Sequence, residues 1–404
     1  MADIRDELTA YLLDPGTFDD PYPLLRAARK LGPVVESDAG AWAVLGFDAV
    51  ETVLTDETFS RALATQLECQ AIEGGTEEGR AAADVFRQWF FNMDPPQHTR
   101  LRKLASPAFR PTVVAQFAER VDEVTAALID ELLEAKQVDF LAAFAYQLPH
   151  RVICDMLGVP PEDHARWGSW LHTIMEGNKV AVGDSAAALR DAFDGFGRYC
   201  QSLLRARAAA PGHGLIGSLL SATEAGDAMT ESELVSTLSL LVIAGHETTV
   251  HLLGNGLYCL LRQRDQWRQL RNDPSLVPGA VEECLRFEPS ARIRPRITRR
   301  RTTLAGVDVP EGATVQPIVS AANRDPDRFE RPDEFNIAIK RPAHLTFGFG
   351  AHYCLGAPVA RLEASVALRE LAARVDLDLL EEPTWRHAAH RSLERLDVEV
   401  RARA

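Results

Sequence analysis

Phe347-Gly348-Phe349-Gly350-Ala351-His352-Tyr353-Cys354-Leu355-Gly356 is the stretch whose reading decides the fold. It reads as a glycine-loosened loop that leaves the short apolar segment His344-Leu345-Thr346 and enters a helix over 357–373, where apolar residues recur at spacings of three and four. Gly348 and Gly350 before the cysteine and Gly356 after it let the backbone approach a large flat ligand, because glycine adopts unusual dihedrals and brings no side chain. A cysteine beside a helix N-terminus is biased toward thiolate, the form that ligates metal. Cys354 has no neighbouring Cys or His pair, so it does not build a zinc site, which takes four protein ligands. It can supply one axial ligand to an iron already held by a porphyrin.

The bulk composition suits that chemistry. The 404 residues are 46% hydrophobic and 25% charged, as in a soluble globular protein with ample core. A net charge of −14 argues against nucleic acid as the main partner, since phosphate binding needs a basic surface. The six cysteines (Cys69, Cys154, Cys200, Cys259, Cys284, Cys354) show no CxxC and no framework spacing, which fits a reducing compartment. No basic segment followed by an apolar run opens the chain, and no stretch approaches the about 20 apolar residues of a membrane span. A cytoplasmic monomer is the expectation.

Helix is expected over most of the chain. Asp20-Pro21 opens a helix over 22–31; Val34-Val35 and 41–45 read as strands around a turn at Gly40. Residues 61–92 are polar and poorly periodic, and 73–78 reads as a mobile surface loop. From about 112 to 270 the pattern is helical, with breaks at Pro160-Pro161, Gly177 and 211–214. The longest helix runs from Thr230 to about Tyr258, opens with the capping-box pattern Thr230-Glu231-Ser232-Glu233, and is apolar all round at 238–244, so it should be buried. After a helix over 275–288, short strands are expected at 303–309 and 314–320, an irregular stretch from Asn323 to Phe335, and a terminal hairpin over 384–400. The expected fold is mainly α with a small β part (α+β), one domain over 1–404, its β regions mainly at 30–60, 290–320 and 384–401.

Three further groupings stand out. Gly245, Glu247 and Thr248 lie on the longest helix, where Gly245 leaves room and an acid and an alcohol stand side by side; the bland alternative for Thr248 is a bond back to the preceding turn. Glu283 and Arg286, three apart, share a helix face and can pair. His98 and Arg102, at i and i+4, can point at one carboxylate, although His98 could equally cap its helix.

Residues 347–356 resemble, at every fixed position, the haem-binding loop of the cytochrome P450 monooxygenases. Ala244-Gly245-His246-Glu247-Thr248-Thr249, Glu283-Cys284-Leu285-Arg286 and His98-Thr99-Arg100-Leu101-Arg102 are similar to further stretches of that family, in the right order, and the likeness extends over nearly the whole chain. The resemblance implies a soluble bacterial-type P450 fold, a long central helix over haem b (iron protoporphyrin IX) and the cysteine loop beneath it. It implies Cys354 as the iron ligand, with Phe347, Gly348 and Gly245 against the haem, and His98, Arg102, Arg296 and His352 on its propionates. It implies Glu247 and Thr248 as the proton-relaying catalytic pair. The Glu283–Arg286 pair would be buried, joined by Arg324 or Arg328, and would support the haem loop.

The implied activity is dioxygen-dependent hydroxylation or epoxidation of a hydrophobic small molecule, in secondary-metabolite tailoring, with two electrons from a ferredoxin and its reductase. A peroxygenase or oxidative coupling enzyme on the same scaffold is the alternative, and a non-enzymatic haem sensor a third; the acid–alcohol pair speaks against the last. Leu240, Ile243, Ala244, Arg292 and Ile293 are the candidate substrate contacts, with the 168–182 region and the tail tip at Ala389-His390 as further walls. Arg292 could anchor a substrate carboxylate, or assist a propionate, or reach solvent. Arg100, Arg102, Lys103, Arg110 and Arg361 could form a basic patch near Cys354 for an acidic ferredoxin, or an ordinary solvated face.

Overall fold

Thr230 starts the longest helix, Glu231–Arg262, through a complete capping box: its hydroxyl accepts from the Glu233 amide at 3.3 Å, and the Glu233 carboxylate accepts from the Thr230 amide at 2.8 Å. The computed structural model describes residues 4–73, 77–177, 184–209, 215–224, 226–387 and 390–403. The central helix serves two apolar cores. Leu234 to Ile243 pack with Trp167, Leu171, Phe196, Leu204 and Ile216, whereas Val250 to Leu261 pack with helices Ala118–Ala135, Val277–Phe287 and Ala357–Arg374. Between the two cores lies the polar segment 244–249, so the chemistry-bearing residues fall where the apolar packing changes hands.

Two sheets of three or more strands flank the helices among the described residues. The larger has strand order 34–36, 42–44, 314–317, 296–298, 59–60, antiparallel throughout except for the parallel pairing of 314–317 with 42–44. The other joins Val375–Leu379, Asp397–Ala402 and Gln137–Asp139. Among the described residues, no helix is long and apolar enough to cross a membrane.

Several expectations change. The stretch 61–92 is helical, Arg61–Glu73 and Glu77–Gln88, because small and apolar residues (Ala64, Cys69, Ala83) pair the two helices against each other; residues 74–76 of the expected loop lie outside the described residues. The strand read over 303–309 is a hairpin, Thr302–Leu304 with Val307–Val309, turned at Ala305 and Gly306, both at positive φ. In the tail, Trp385 bridges Leu393 as a local hairpin, but the long strand Asp397–Ala402 pairs with Val375–Leu379, which follows the last helix.

The Glu283–Arg286 pair is buried and bidentate, at 2.7 and 2.8 Å. Its third member is Arg341, whose Nε lies 3.0 Å from Glu283, and neither Arg324 nor Arg328. Arg324 is sandwiched between the Tyr22 and Phe287 rings and pairs with Glu288, and Arg328 lies over Phe47. Arg286 also donates to the carbonyls of Asn323 and Pro332. The Asn323 side chain accepts from the Leu345 amide and donates to Thr346, whose hydroxyl reaches the Leu285 carbonyl. A chain of buried polar contacts thus runs from the ion pair to the foot of the 347–356 loop. Replacing Arg286 by Ala leaves Glu283 buried with less compensation, which costs about 3–5 kcal/mol. Arg341→Ala is expected to cost less, because the bidentate partner remains. Chemical denaturation of the two variants checks the order; an Arg286→Ala protein as stable as wild type would refute it.

Candidate active site

The 347–356 loop folds back on itself before the last long helix. The Cys354 amide donates to the Phe347 carbonyl at 2.8 Å, the Gly348 amide to Leu345 at 2.8 Å and the Tyr353 amide to Gly350 at 3.1 Å. Gly348 and Gly350 sit at φ +72° and +66°, the left-handed region where a side chain is strained, and a Cβ on Gly350 would come within 3.0 Å of Thr55. Arg361 lies over the Phe347 ring, 4.5 Å from its centroid. The Cys354 thiol is pushed up by burial, opposed by Arg294, the amides of Gly356 and Ala357, and Arg102. The helix-terminus effect expected for it is therefore present but smaller than desolvation in the chain alone, and a bound cation would be needed to favour thiolate.

One side of this loop gathers imidazole and guanidinium groups. His98 and His352 stack with ring centroids 4.0 Å apart, and both ring nitrogens of His98 are buried without a hydrogen-bond partner. Burial holds His98 down to about 4 and His352 down to about 2, with Arg102 and Arg296 adding to the effect. Arg296 is buried, donates to the carbonyls of Arg294 and Pro295, and is lowered to about 9 by burial and by Arg61 and Arg294. Arg102 donates to the Tyr353 carbonyl beside Cys354. Arg294 donates to Thr346 while its Nε has no partner. Buried donors that lack acceptors, around a loop carrying a lone cysteine, fit a flat iron-bearing ligand with two carboxylates.

A second grouping is the polar segment of the central helix. Ala244 is exposed in a helix whose neighbours Val242, Ile243 and His246 are buried, and Glu247 and Thr248 follow on the adjoining turn. Thr248 Oγ1 donates to the Ala244 carbonyl at 2.8 Å, the back-bonded arrangement. Glu247 lies 3.6 Å from His390 Nδ1 and 4.0 Å from His251 Nε2. His246 turns away, its Nε2 3.2 Å from the Tyr146 carbonyl. A Cβ on Gly245 would meet Ile153 at 3.6 Å, so the space this glycine leaves lies toward the helix Gln147–Leu157.

The remaining candidates divide. Leu240, one turn before Ala244, and Ile243, immediately before it, are both buried. Ile293 bridges Ile318 at the sheet edge. Arg292 is buried and donates to the Pro15 carbonyl at 2.7 Å, beside Tyr11, so one guanidinium nitrogen is committed to the N-terminal segment. The basic patch is also reduced. Arg100 is bound to Asp227 and Glu233, and Arg361 to Glu282 at 2.7 and 2.9 Å, so both charges are neutralised locally. Of the expected walls, 178–182 and Ala389 lie outside the described residues.

Three further positions stand beside these groupings. Arg294 is two residues before Arg296, and residues two apart in extended chain share a face, so that signal was present. His251, four after Glu247 on one helix, was equally legible. Arg61 approaches from a distant helix and carried no local sign; it is held by Asn92 and Glu68.

Comparison with known proteins agrees with this geometry. The family profile described as Cytochrome P450 matches residues 269–387. The chain is 36% identical over 369 residues to Cytochrome P450 CYP107DY1 of Priestia megaterium, covering 89% of each protein. It is 36% identical over 402 residues, 96% of each, to the Vitamin D(3) 25-hydroxylase of Pseudonocardia autotrophica. Against the 6-deoxyerythronolide B hydroxylase of Saccharopolyspora erythraea it is 34% identical, covering 87% of each. Among solved structures, P450BioI in complex with an acyl carrier protein superposes with a TM-score of 0.85 at 31% identity, over 94% of this chain and 97% of that one. The loop, the propionate-type cluster and the whole-length likeness meet in one conclusion: this chain belongs to the cytochrome P450 family, as a monooxygenase whose cofactor is haem b.

Proposed function

We propose that this protein inserts one oxygen atom of dioxygen into a hydrophobic small molecule, with electrons from a ferredoxin-type donor and its reductase, and that it tailors a secondary metabolite. The observation that carries the reading is the face formed by exposed Ala244 with partly exposed Glu247 and Thr248 on the central helix. The names of two relatives, hydroxylases of 6-deoxyerythronolide B and of vitamin D(3), support hydroxylation of a bulky apolar substrate.

Haem, when bound, supplies the oxygen-activating chemistry. Cys354 would hold its iron, while His98, Arg102, Arg296 and His352, with Arg294, would hold its propionates. Glu247, partly exposed, collects a proton at its carboxylate; the hydroxyl of Thr248 passes it inward once it leaves the Ala244 carbonyl. Leu240, Ile243 and Ala244 give the substrate an apolar wall that excludes water.

Replacing Cys354 by Ser is expected to abolish the thiolate signature in the reduced carbon monoxide spectrum; retention of that signature would rule out Cys354 as the ligand. Thr248→Ala is expected to lower product formed per electron pair by about a hundredfold, the lower range for a lost proton-transfer group, while turnover driven by hydrogen peroxide persists. If wild type turns over with peroxide alone and not with ferredoxin and a nicotinamide cofactor, the peroxygenase reading replaces this one. For the electron donor, Arg110 is the cleaner probe, since it is exposed whereas Arg361 is tied to Glu282. Arg110→Glu should slow reduction by an acidic ferredoxin several-fold with substrate binding unchanged; identical reduction rates would remove this face as the docking surface.

A further inference from the structure

Glu247, His251 and His390 bring one carboxylate and two imidazoles together, with one potential ligand atom from each lying within 4.8 Å of the others. We propose that these three residues bind a zinc-class divalent cation, a site distinct from the haem iron.

The geometry is prepared from three directions. Glu247 and His251 stand at i and i+4 on the central helix, so they share one face. His251 Nδ1 lies 2.8 Å from Ser290 Oγ, which fixes the ring and leaves Nε2 directed at Glu247, 4.0 Å from Oε1. Metal-binding histidines commonly have the second ring nitrogen engaged in this manner. His390 is anchored by its backbone bridge to Ala291, next to Ser290, and its Nδ1 faces Glu247 Oε2 at 3.6 Å. On a tetrahedral cation with ligand bonds of about 2.0–2.1 Å, neighbouring donor atoms stand about 3.3 Å apart. The present separations, 4.8 Å at most, exceed that spacing by about 1.5 Å or less.

The donor set selects the ion. Two neutral imidazoles with one carboxylate favour zinc and its transition-metal neighbours over magnesium and calcium, which take oxygen ligands. Three protein ligands leave a fourth position for water. Access is graded: His251 is buried, Glu247 is 20% exposed and His390 41% exposed, so a cation can arrive from the His390 side.

The test uses the haem-loaded protein and Zn²⁺, competed against a chromophoric chelator in the presence of millimolar Mg²⁺. Wild type is expected to hold one equivalent of zinc that the His390→Ala variant loses, with affinity lowered at least about tenfold, and Ser290→Ala to fall by about tenfold. His390 is half-exposed, so its replacement should not disturb folding; a circular dichroism melt and the haem spectrum verify that. Equal zinc uptake by wild type and His390→Ala, or displacement by Mg²⁺, overturns the site. A second measurement rests on the proposed proton role of Glu247. Zinc should slow reductant-driven turnover of wild type more than that of His390→Ala, each relative to its own metal-free rate. Zinc uptake without that inhibition would refute the proton role and leave the cation site standing.

Discussion

A carboxylate shared by two guanidinium groups inside the protein is the constraint on which the rest of the architecture depends. Glu283 meets Arg286 and Arg341 where almost no water reaches. Such a cluster is costly to bury and gains its value only when every charge and donor is matched. Here the matching is extensive, because Arg286 spends its remaining donors on the irregular segment 323–334. That segment has no regular secondary structure of its own, so the arginine substitutes for the missing ladder bonds. Asn323 then passes the order to Leu345 and Thr346, and so to the loop that carries Cys354.

The central helix solves a second problem, how to put polar chemistry inside an apolar protein. Its two ends are buried in different cores, and the change between them spares 244–249 from close apolar packing. Glu247 and Thr248 can therefore be polar and partly exposed without leaving buried donors unmatched. His246, on the same segment but facing the neighbouring helix, is buried and kept neutral, its value near 4 set by desolvation. Three successive residues thus have three environments, decided by the 100° steps of the helix.

Local signals made much of this legible in the sequence. The capping box at Thr230, the glycines at 348 and 350 and the i, i+3 pair at 283 and 286 each act within a few residues, and each is found where its chemistry places it. What stayed hidden depends on chain segments that meet from far apart. Arg341 rather than Arg324 or Arg328 completes the ion cluster, because aromatic rings capture those two arginines first. The contact of Arg292 with the Pro15 carbonyl likewise joins segments far apart in the chain. The helix Arg61–Glu73 has weak periodicity, since it is stabilised by packing on its neighbour Glu77–Gln88 rather than by a strong apolar stripe. Of the candidate site, the cysteine loop and the acid–alcohol pair were readable, whereas the proximity of His390 to Glu247 required a tail hairpin to fold back across the helix.

The cluster beside the cysteine loop has a consequence for how the protein matures. Arg61, Arg102, Arg294 and Arg296 crowd around two imidazoles, and the carboxylates of Glu68 and Asp94 only partly offset them. A polypeptide folding alone must hold these like charges together, which opposes the last stage of closure. A ligand that brings two negative groups removes the repulsion, and by mass action it draws the chain toward the closed form. Correct assembly is therefore a bimolecular event, and the yield of finished protein in a cell should follow the supply of porphyrin as closely as the rate of translation.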